Sequence, residues 1–536
     1  YMKIRLSRGI GEFERTQLND YWEPPSLFSE VLDDRVWVIY GRKGSGKSTL
    51  VEYISSSIED ASTIIIRPRN SDLFRRILAT LKNFKEDDRI AEESVSNLLE
   101  YIIYTSIMNH VVGAKTTWLP SSPLETIYNY LVQHKLNSGS VLRKAINLFK
   151  AANGELKLSP TFDGVLDVVE GDVSYEDAVY ALMEYMAENK RGVLVCLDDI
   201  DELGFNFSDY DRIFSNSILI CVLRLNTRFI ESKTKIRILL TIPSELYFHS
   251  SFWGGDWASH KSEYLAWPDG KALKRLVNKR IAIESNTKKH KPRFDGDKYS
   301  IDNEHTWKRV FPETLINQNG RRESSFNYIL KHTFYTPRHL LGICDNILRN
   351  AGCDDLSELH NFTESNWNQV IKSSVQEFSM QIDHDLRGLF SRIYNGLEDI
   401  LYAFRSRPSI WSRAQLFSYL NKTALSITRA DTGEVYSGES LVEALYRIGF
   451  IGYGVLDMAG VNPGLVQAYR LHFSFIDKNQ YRGGWDIAVI SPIFYWSYGI
   501  REITTESVLP HQSLRISNKD AHSIMLYDHE TNTSNA

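Results

Sequence analysis

At 536 residues the chain has room for roughly three or four domain-sized units. Its 43 % hydrophobic and 24 % charged residues are ordinary for a soluble globular protein, and a net charge of −5 argues against a global nucleic-acid binder. No apolar run reaches the ~18 residues of a membrane span, and no charged-then-apolar leader opens the chain, so a cytoplasmic protein with no membrane partner is predicted. Cys196, Cys221, Cys344 and Cys353 lie far apart with no C-x-x-C pair, which suggests neither a disulfide framework nor a zinc site and points to a reducing compartment.

The first strong element is a short apolar run over 35–40, followed by Gly41-Arg42-Lys43-Gly44-Ser45-Gly46-Lys47-Ser48-Thr49 and a helical pattern over 50–55. Strand, Gly41-x-x-x-x-Gly46-Lys47-Ser48 and helix together make the full P-loop pattern. Its glycines let backbone N–H groups turn inward around phosphates, and the helix N-terminus favours an anion. Residues 41–49 are therefore predicted to bind ATP, with Lys47 on the β- and γ-phosphates and the Ser48 hydroxyl on Mg²⁺.

A second buried strand is predicted over 62–67, and helical patterns follow over 91–111, 124–134, 141–151 and 175–190. These form a large helical insertion at about 72–190, either a partner surface or scaffold. The unbroken apolar run 193–197 then reads as a central parallel strand ending in Asp198-Asp199. Carboxylates at the carboxyl edge of such a strand face the P-loop, as in a Walker B strand. Asp198 is assigned to Mg²⁺ and Asp199 to polarising the attacking water. A helix over 209–229 and a strand over 235–242 follow. The strand resembles the one after Walker B in AAA+ and STAND ATPases, which implies a polar sensor residue at its end; Thr241 and Ser244 are both candidates, and a threonine there is also common for packing alone. Arg224, Arg228 and Arg237 are guesses for an arginine acting on a neighbouring subunit.

Lys271, Lys274, Arg275, Lys279 and Arg280 lie on an amphipathic helix that begins a basic stretch reaching Arg293. That face is either simply solvated or a nucleic-acid contact. Residues 286–300 read as a flexible loop. In 335–346, Thr336-Pro337-Arg338 opens a helix with Arg338 just inside its first turn. The segment resembles the lid of AAA+ proteins, which implies an arginine reaching the γ-phosphate; Arg338 is either that residue or a surface arginine. Helices over 412–420 and 439–448, a sharp turn at Gly449–Gly454, and β-runs over 468–475 and 485–490 follow in the order of a winged helix, the two β-runs forming its hairpin. The 439–447 helix is not basic, so a protein partner suits it at least as well as DNA. The polar tail from 504 shows no strong periodicity.

This series of motifs resembles AAA+ and STAND ATPases of the origin-recognition-like branch. It resembles more closely the prokaryotic P-loop ATPases that accompany anti-phage defence genes. The resemblance rests on the P-loop at 41–49, the paired acids 198–199, Thr336-Pro337-Arg338, the Leu445-Tyr446-Arg447-Ile448-Gly449-Phe450-Ile451-Gly452 segment and the winged helix. It implies an ATPase switch that works as a homo-oligomer or with an effector protein encoded nearby. The expected fold is an α/β P-loop NTPase of the ASCE/AAA+ kind. Its parts are a core over 1–285, a helical lid over 286–385, a winged-helix-like domain over 386–500 and a tail over 501–536. Asp198-Asp199 departs from the usual Asp-Glu, and the shorter second acid suits slow turnover. A DNA-binding ATPase and a nucleotide-dependent interaction module without hydrolysis are the alternatives.

Overall fold

The computed structural model describes residues 6, 18–67, 88–113, 122–134, 136, 173–189, 191–200, 208–249, 260–268, 270–286, 303–308, 310–352, 363–457, 466–477, 481–504, 506–517 and 520. The helix expected over 141–151, the loop from 287, Cys353 and nearly all of the tail beyond 517 lie outside these residues. The chain forms two compact units. One comprises Ser26–Lys43 and Lys47–Leu265; the other comprises Tyr1–Pro25, Gly44–Gly46 and Ala266–Ala536. Residues 266–285, grouped with the ATPase core on sequence, lie in the second unit.

The first unit is built on a five-stranded parallel sheet. Its strands are β1 (Val38–Gly41), β2 (Ala61–Ile66), β3 (Gly192–Leu197), β4 (Ile236–Pro243) and β5 (Ser262–Tyr264), in the order β2-β3-β4-β1-β5. Strand β3 is buried at every position, as a central strand covered on both faces requires. Helix α1 (Leu27–Leu32) precedes β1, and α2 (Lys47–Ser57) follows the P-loop. Leu50, Val51 and Ile54 of α2 pack with Ile39, Leu194, Cys196 and Leu239 in one apolar cluster. Helices α3 (Asp88–Gly113), α4 (Pro123–Gln133) and α5 (Tyr175–Glu188) lie between β2 and β3. Of these, α3 packs on β2, β3 and α6 (Asp209–Glu231), while α4 and α5 pack on one another. Ser174 and Asp177 close a capping box at the start of α5.

One stretch, Tyr210–Glu231, is apolar and long enough to cross a membrane by composition, which the sequence reading did not single out. Two thirds of its apolar window is buried inside the structure, as in a core helix. The side chain of Asn226 pins it to β4, donating to the Ile238 carbonyl at 2.9 Å and accepting from its N–H at 2.8 Å. Burial pushes the thiols of Cys196, Cys221 and Cys344 well up, so they stay protonated and inert. A short helix α7 (Ser244–His249) leaves β4.

The second unit holds a short helix at Leu18–Tyr21 and, from Ala266 onward, continues with α8 (Gly270–Asn286) and α9 (Asn303–Lys308). A two-stranded ribbon, β6 (Thr314–Ile316) with β7 (Arg322–Ser324), then leads into α10 (Ser325–Lys331), α11 (Pro337–Asn350) and the long α12 (Glu364–Phe390). The small strand β8 (Tyr394–Asn395) and helix α13 (Leu397–Ala403) precede β9 (Ile410–Ser412) and α14 (Arg413–Lys422). Strands β10 (Ile427–Arg429) and β11 (Val435–Tyr436) separate α14 from α15 (Gly438–Ile448). Strands β12 (Ile451–Leu456), β13 (Val466–His472), β14 (Ile487–Ile490) and β15 (Ser513–Ser517) complete an antiparallel sheet in the order β15-β13-β12-β14-β9.

Helix, helix and antiparallel wing follow as expected, but the pairing differs. Glycine spacing predicts a turn across 449–454 and a hairpin between the two later β-runs. Instead only Gly449 turns, at φ +89, capping α15. Strand β12 then runs through the centre of the sheet, with β13 on one side and β14 on the other. Its glycines serve close packing rather than a bend. A Cβ at Gly452 would meet the Phe473 ring at 2.6 Å, and one at Gly454 would meet Ile487 at 2.7 Å. The tail also departs from expectation: Ser513–Ser517 pairs with β13 and buries Leu514 and Ile516.

Candidate functional site

Parallel register gathers the chemistry at one sheet edge. Ile39 of β1 lies beside Thr241 of β4, and Ile66 of β2 beside Leu197 of β3. Gly41 at the end of β1, Arg67 and Asp198 just past β2 and β3, and Thr241 two residues before the end of β4 therefore lie along one edge of the sheet. Asp198 continues the ladder for one more step, its N–H donating to the Ile66 carbonyl at 3.0 Å. The next residue, Asp199, has φ +57, a region that aspartate tolerates better than most residues. There the chain turns out of the strand, with both carboxylates within reach of α2.

Ser48, in the first turn of α2, lies between them. Its Oγ is 2.7 Å from Asp199 Oδ1 and 3.1 Å from Asp198 Oδ1. One hydroxyl carries one proton, so it donates to one carboxylate at a time. Asp198 is 1 % exposed, and its remaining bonds come from two neighbours. Thr241 Oγ1 donates to Oδ1 at 2.6 Å and Arg67 Nε donates to Oδ2 at 3.1 Å. Of the two sensor candidates, Thr241 is the one on Asp198; Ser244 is buried at the start of α7.

Arg67 was not singled out on sequence. It follows β2 directly, and its guanidinium also lies 3.3 Å from Asp199 Oδ2 and 2.8 Å from Glu52 Oε1. Burial disfavours its charge, but Glu52 and Asp198 outweigh that and raise its pKa further. The available signal was positional: Arg67 is the cation that directly follows the apolar run Ile64-Ile65-Ile66.

Lys47 is buried and folds back on the loop, donating to the carbonyls of Gly41 at 2.8 Å and Arg42 at 3.2 Å. Arg42 is buried as well, whereas Lys43 is exposed and Thr49 half-buried in the first turn of α2. The loop tip Gly44–Gly46 belongs to the second unit. Gly44 and Gly46 have φ +85 and +98, which side chains rarely adopt. A Cβ on Gly46 would meet the Trp22 ring at 2.5 Å, and one on Gly44 would meet Arg338 Cβ at 2.7 Å. Trp267 Nε1 donates to the Ser45 carbonyl at 2.8 Å and packs edge-on to Trp22 at 5.5 Å. Arg338 lies in the first turn of α11, behind the Thr336 cap and Pro337, and its guanidinium makes no ion pair among the described residues.

The donor set suits Mg²⁺. That ion takes hard oxygens from one or two carboxylates and a hydroxyl and draws the rest of its shell from phosphates and water. Ser48 and Asp198 supply such oxygens, and among the described residues no group of three or more His, Cys, Asp or Glu forms a self-sufficient metal cage.

The basic helix α8 is spent largely inside its own unit. Arg275 and Lys279 pair with Glu23 at 2.7 and 2.8 Å, and although burial works the other way they hold its carboxyl below the usual range. Arg280 is buried and donates to the Leu6 carbonyl, and Lys274 lies over the Phe326 ring. Lys271 is exposed at the helix start. The three arginines guessed to act in trans are also engaged. Arg224 and Arg228 both pair with Glu100, and Arg237 donates to the Leu32 carbonyl at 3.1 Å.

No protein-family model matches the sequence, and no curated protein matches it. Among solved structures, Cdc6p from Pyrobaculum aerophilum is 11 % identical with a TM-score of 0.26, over 81 % of this chain and 97 % of that one. The ORC2 protein from Aeropyrum pernix, solved in ADPNP–ADP complexes, is 12 % identical with a TM-score of 0.26, over 92 % of each chain. By its sheet order and the carboxylates that follow β3, the first unit has the α/β fold of a P-loop ATPase.

Proposed function

We propose that the protein binds and hydrolyses ATP as a slow molecular switch. The observation that carries this reading is the chain of contacts Asp199–Ser48–Asp198–Thr241 beside the P-loop, with neighbouring side-chain oxygens 2.7, 3.1 and 2.6 Å apart. Residues 41–49 would cradle the phosphates with backbone N–H groups, and Lys47 would leave the loop carbonyls for the β- and γ-phosphates. Bound Mg²⁺, held by Ser48 and Asp198, would neutralise charge developing on the phosphates. Asp199, whose carboxylate faces the same hydroxyl, would orient and deprotonate the attacking water. Arg338 would act as the lid arginine.

The motif order supports a finer role, a regulatory ATPase of an anti-phage complex. It would assemble as a homo-oligomer or with a separate effector protein that carries the destructive chemistry. The internal pairing of Arg275, Lys279 and Arg280 favours this reading over a DNA-binding ATPase that uses α8. The test is phosphate release by the full chain with and without duplex DNA. Release that Lys47→Ala abolishes and DNA leaves unchanged supports the switch. Release that requires DNA moves the assignment to a DNA-dependent ATPase, and ATP binding without release under any condition moves it to an interaction module.

A further inference from the structure

We propose that Tyr335 is a positioning residue for the loop tip at Gly44, and that the C-terminal segment holds Tyr335 in place through His511. The inference rests on the ATPase reading above and concerns contacts inside the second unit.

Tyr335 has φ +53. For a bulky aromatic residue this is an outlier, and such a conformation persists only where its surroundings over-determine it. Three restraints do so. The ring is 1 % exposed and tilts against Phe475 at 5.9 Å. The backbone N–H donates to Thr333 Oγ1 at 3.0 Å. The hydroxyl lies 2.7 Å from His511 Nδ1. Burial pushes the phenol's pKa well up, so it stays protonated and its O–H is available to donate across this contact. The segment before His511 is anchored in turn by buried Lys331, which pairs with Glu323 at 3.1 Å and donates to Ser507 Oγ at 3.3 Å.

Only Thr336 and Pro337 separate the strained residue from Arg338, and both are stiff. Thr336 caps α11 by accepting the His339 N–H at 3.3 Å, and Pro337 fixes its own φ at the first helical position. The Arg338 N–H then meets the Gly44 carbonyl at 3.4 Å, with its Cβ against Gly44. The backbone angle at Tyr335 thus sets where the first turn of α11 touches the phosphate loop. Releasing the hydroxyl removes one of the three restraints. The backbone then relaxes toward an ordinary region and carries Arg338 away from Gly44.

The experiment compares full-length wild type with Tyr335→Phe, His511→Ala, His511→Gln and the Tyr335→Phe/His511→Ala double variant. Calorimetry gives the Kd for Mg·ATP, steady-state hydrolysis gives KM and kcat, and a thermal scan gives Tm. The loss of one hydrogen bond corresponds to a Kd and KM raised about five-fold in Tyr335→Phe and in His511→Ala, with kcat nearly unchanged. The double variant should be no weaker than either single, and His511→Gln, which still accepts a hydrogen bond, should restore wild-type affinity. Unchanged Kd and KM in the variants, or a fall confined to kcat or Tm, overturns the positioning role and leaves the ATPase reading standing. A wild-type protein that binds no ATP, like Lys47→Ala, overturns both.

Discussion

Replacing Arg67 by Met keeps an unbranched stem in place and removes the charge shared by three carboxylates. Two of them, Glu52 and Asp198, have side chains only 5 % and 1 % exposed, so they lose their cation in a place water hardly reaches. Breaking a buried pair from one side costs about 3–5 kcal/mol. Arg67 itself is 23 % exposed, and water admitted on that side puts the expected cost near the lower end, about 3 kcal/mol. Exchange of the β3 amides, Gly192–Leu197, reads this directly, because a core strand opens only with its whole unit. Those amides should exchange about 150-fold faster in Arg67→Met. Adding Glu52→Gln removes one of the stranded charges and should recover about 1 kcal/mol or more. The reasoning fails if Arg67→Met costs under about 0.5 kcal/mol, or if the double variant loses the full sum of its singles.

Asp199→Asn keeps the shape and removes the base; the rate of single-turnover phosphate release should fall about 10²–10⁴-fold while the Kd for ATP changes by less than about two-fold. Thr241→Val removes the 2.6 Å donor to buried Asp198 and should cost about 1.5–3 kcal/mol in the same amide-exchange measurement. Gly452→Ala drives a methyl into the Phe473 ring and the His472 carbonyl, so the second unit should lose about 1–3 kcal/mol in a calorimetric scan. His332 is fully buried, and burial, with Lys331 beside it, holds its pKa well below 6.5. The unfolded chain therefore takes up a proton near pH 6.5 that the folded chain refuses. Stability should fall as pH drops below that value, by up to about 1.4 kcal/mol per pH unit, with no contribution from this residue above about pH 7.5. Urea titrations at pH 7.5 and 5.5 should show that slope in wild type and a shallower one in His332→Asn; equal slopes would refute it.

The sheet was legible because its strands announce themselves locally. Residues 193–197 are an unbroken apolar run ending in acids, and the loop at 41–49 carries its own punctuation. The partners of Asp198 were less so. Thr241 could be offered only beside Ser244, because the choice depends on the register of β4 against β3. Arg67 escaped notice because its role exists only once β2 and β3 are paired in register. The wing was misread for a related reason. Glycine spacing in Gly449-Phe450-Ile451-Gly452-Tyr453-Gly454 suggests a turn, whereas Gly452 and Gly454 are small to admit Phe473 and Ile487, residues distant in sequence. In the tail, Ser513-Leu514-Arg515-Ile516-Ser517 does alternate with a period of two, a signal too short to stand out from its polar surroundings. The basic face of α8 shows the limit of composition: Glu23, which neutralises it, lies some 250 positions earlier in the chain.

The central claim, that the loop at 41–49 and the carboxylates at 198–199 form one nucleotide site, is tested most directly by titrating the full chain with ATP in the presence and absence of Mg²⁺. The account predicts saturable one-to-one binding that Mg²⁺ tightens, that Lys47→Ala abolishes, and that Asp198→Asn separates from its Mg²⁺ dependence. Binding that survives Lys47→Ala, or that is indifferent to both Mg²⁺ and Asp198, would contradict it.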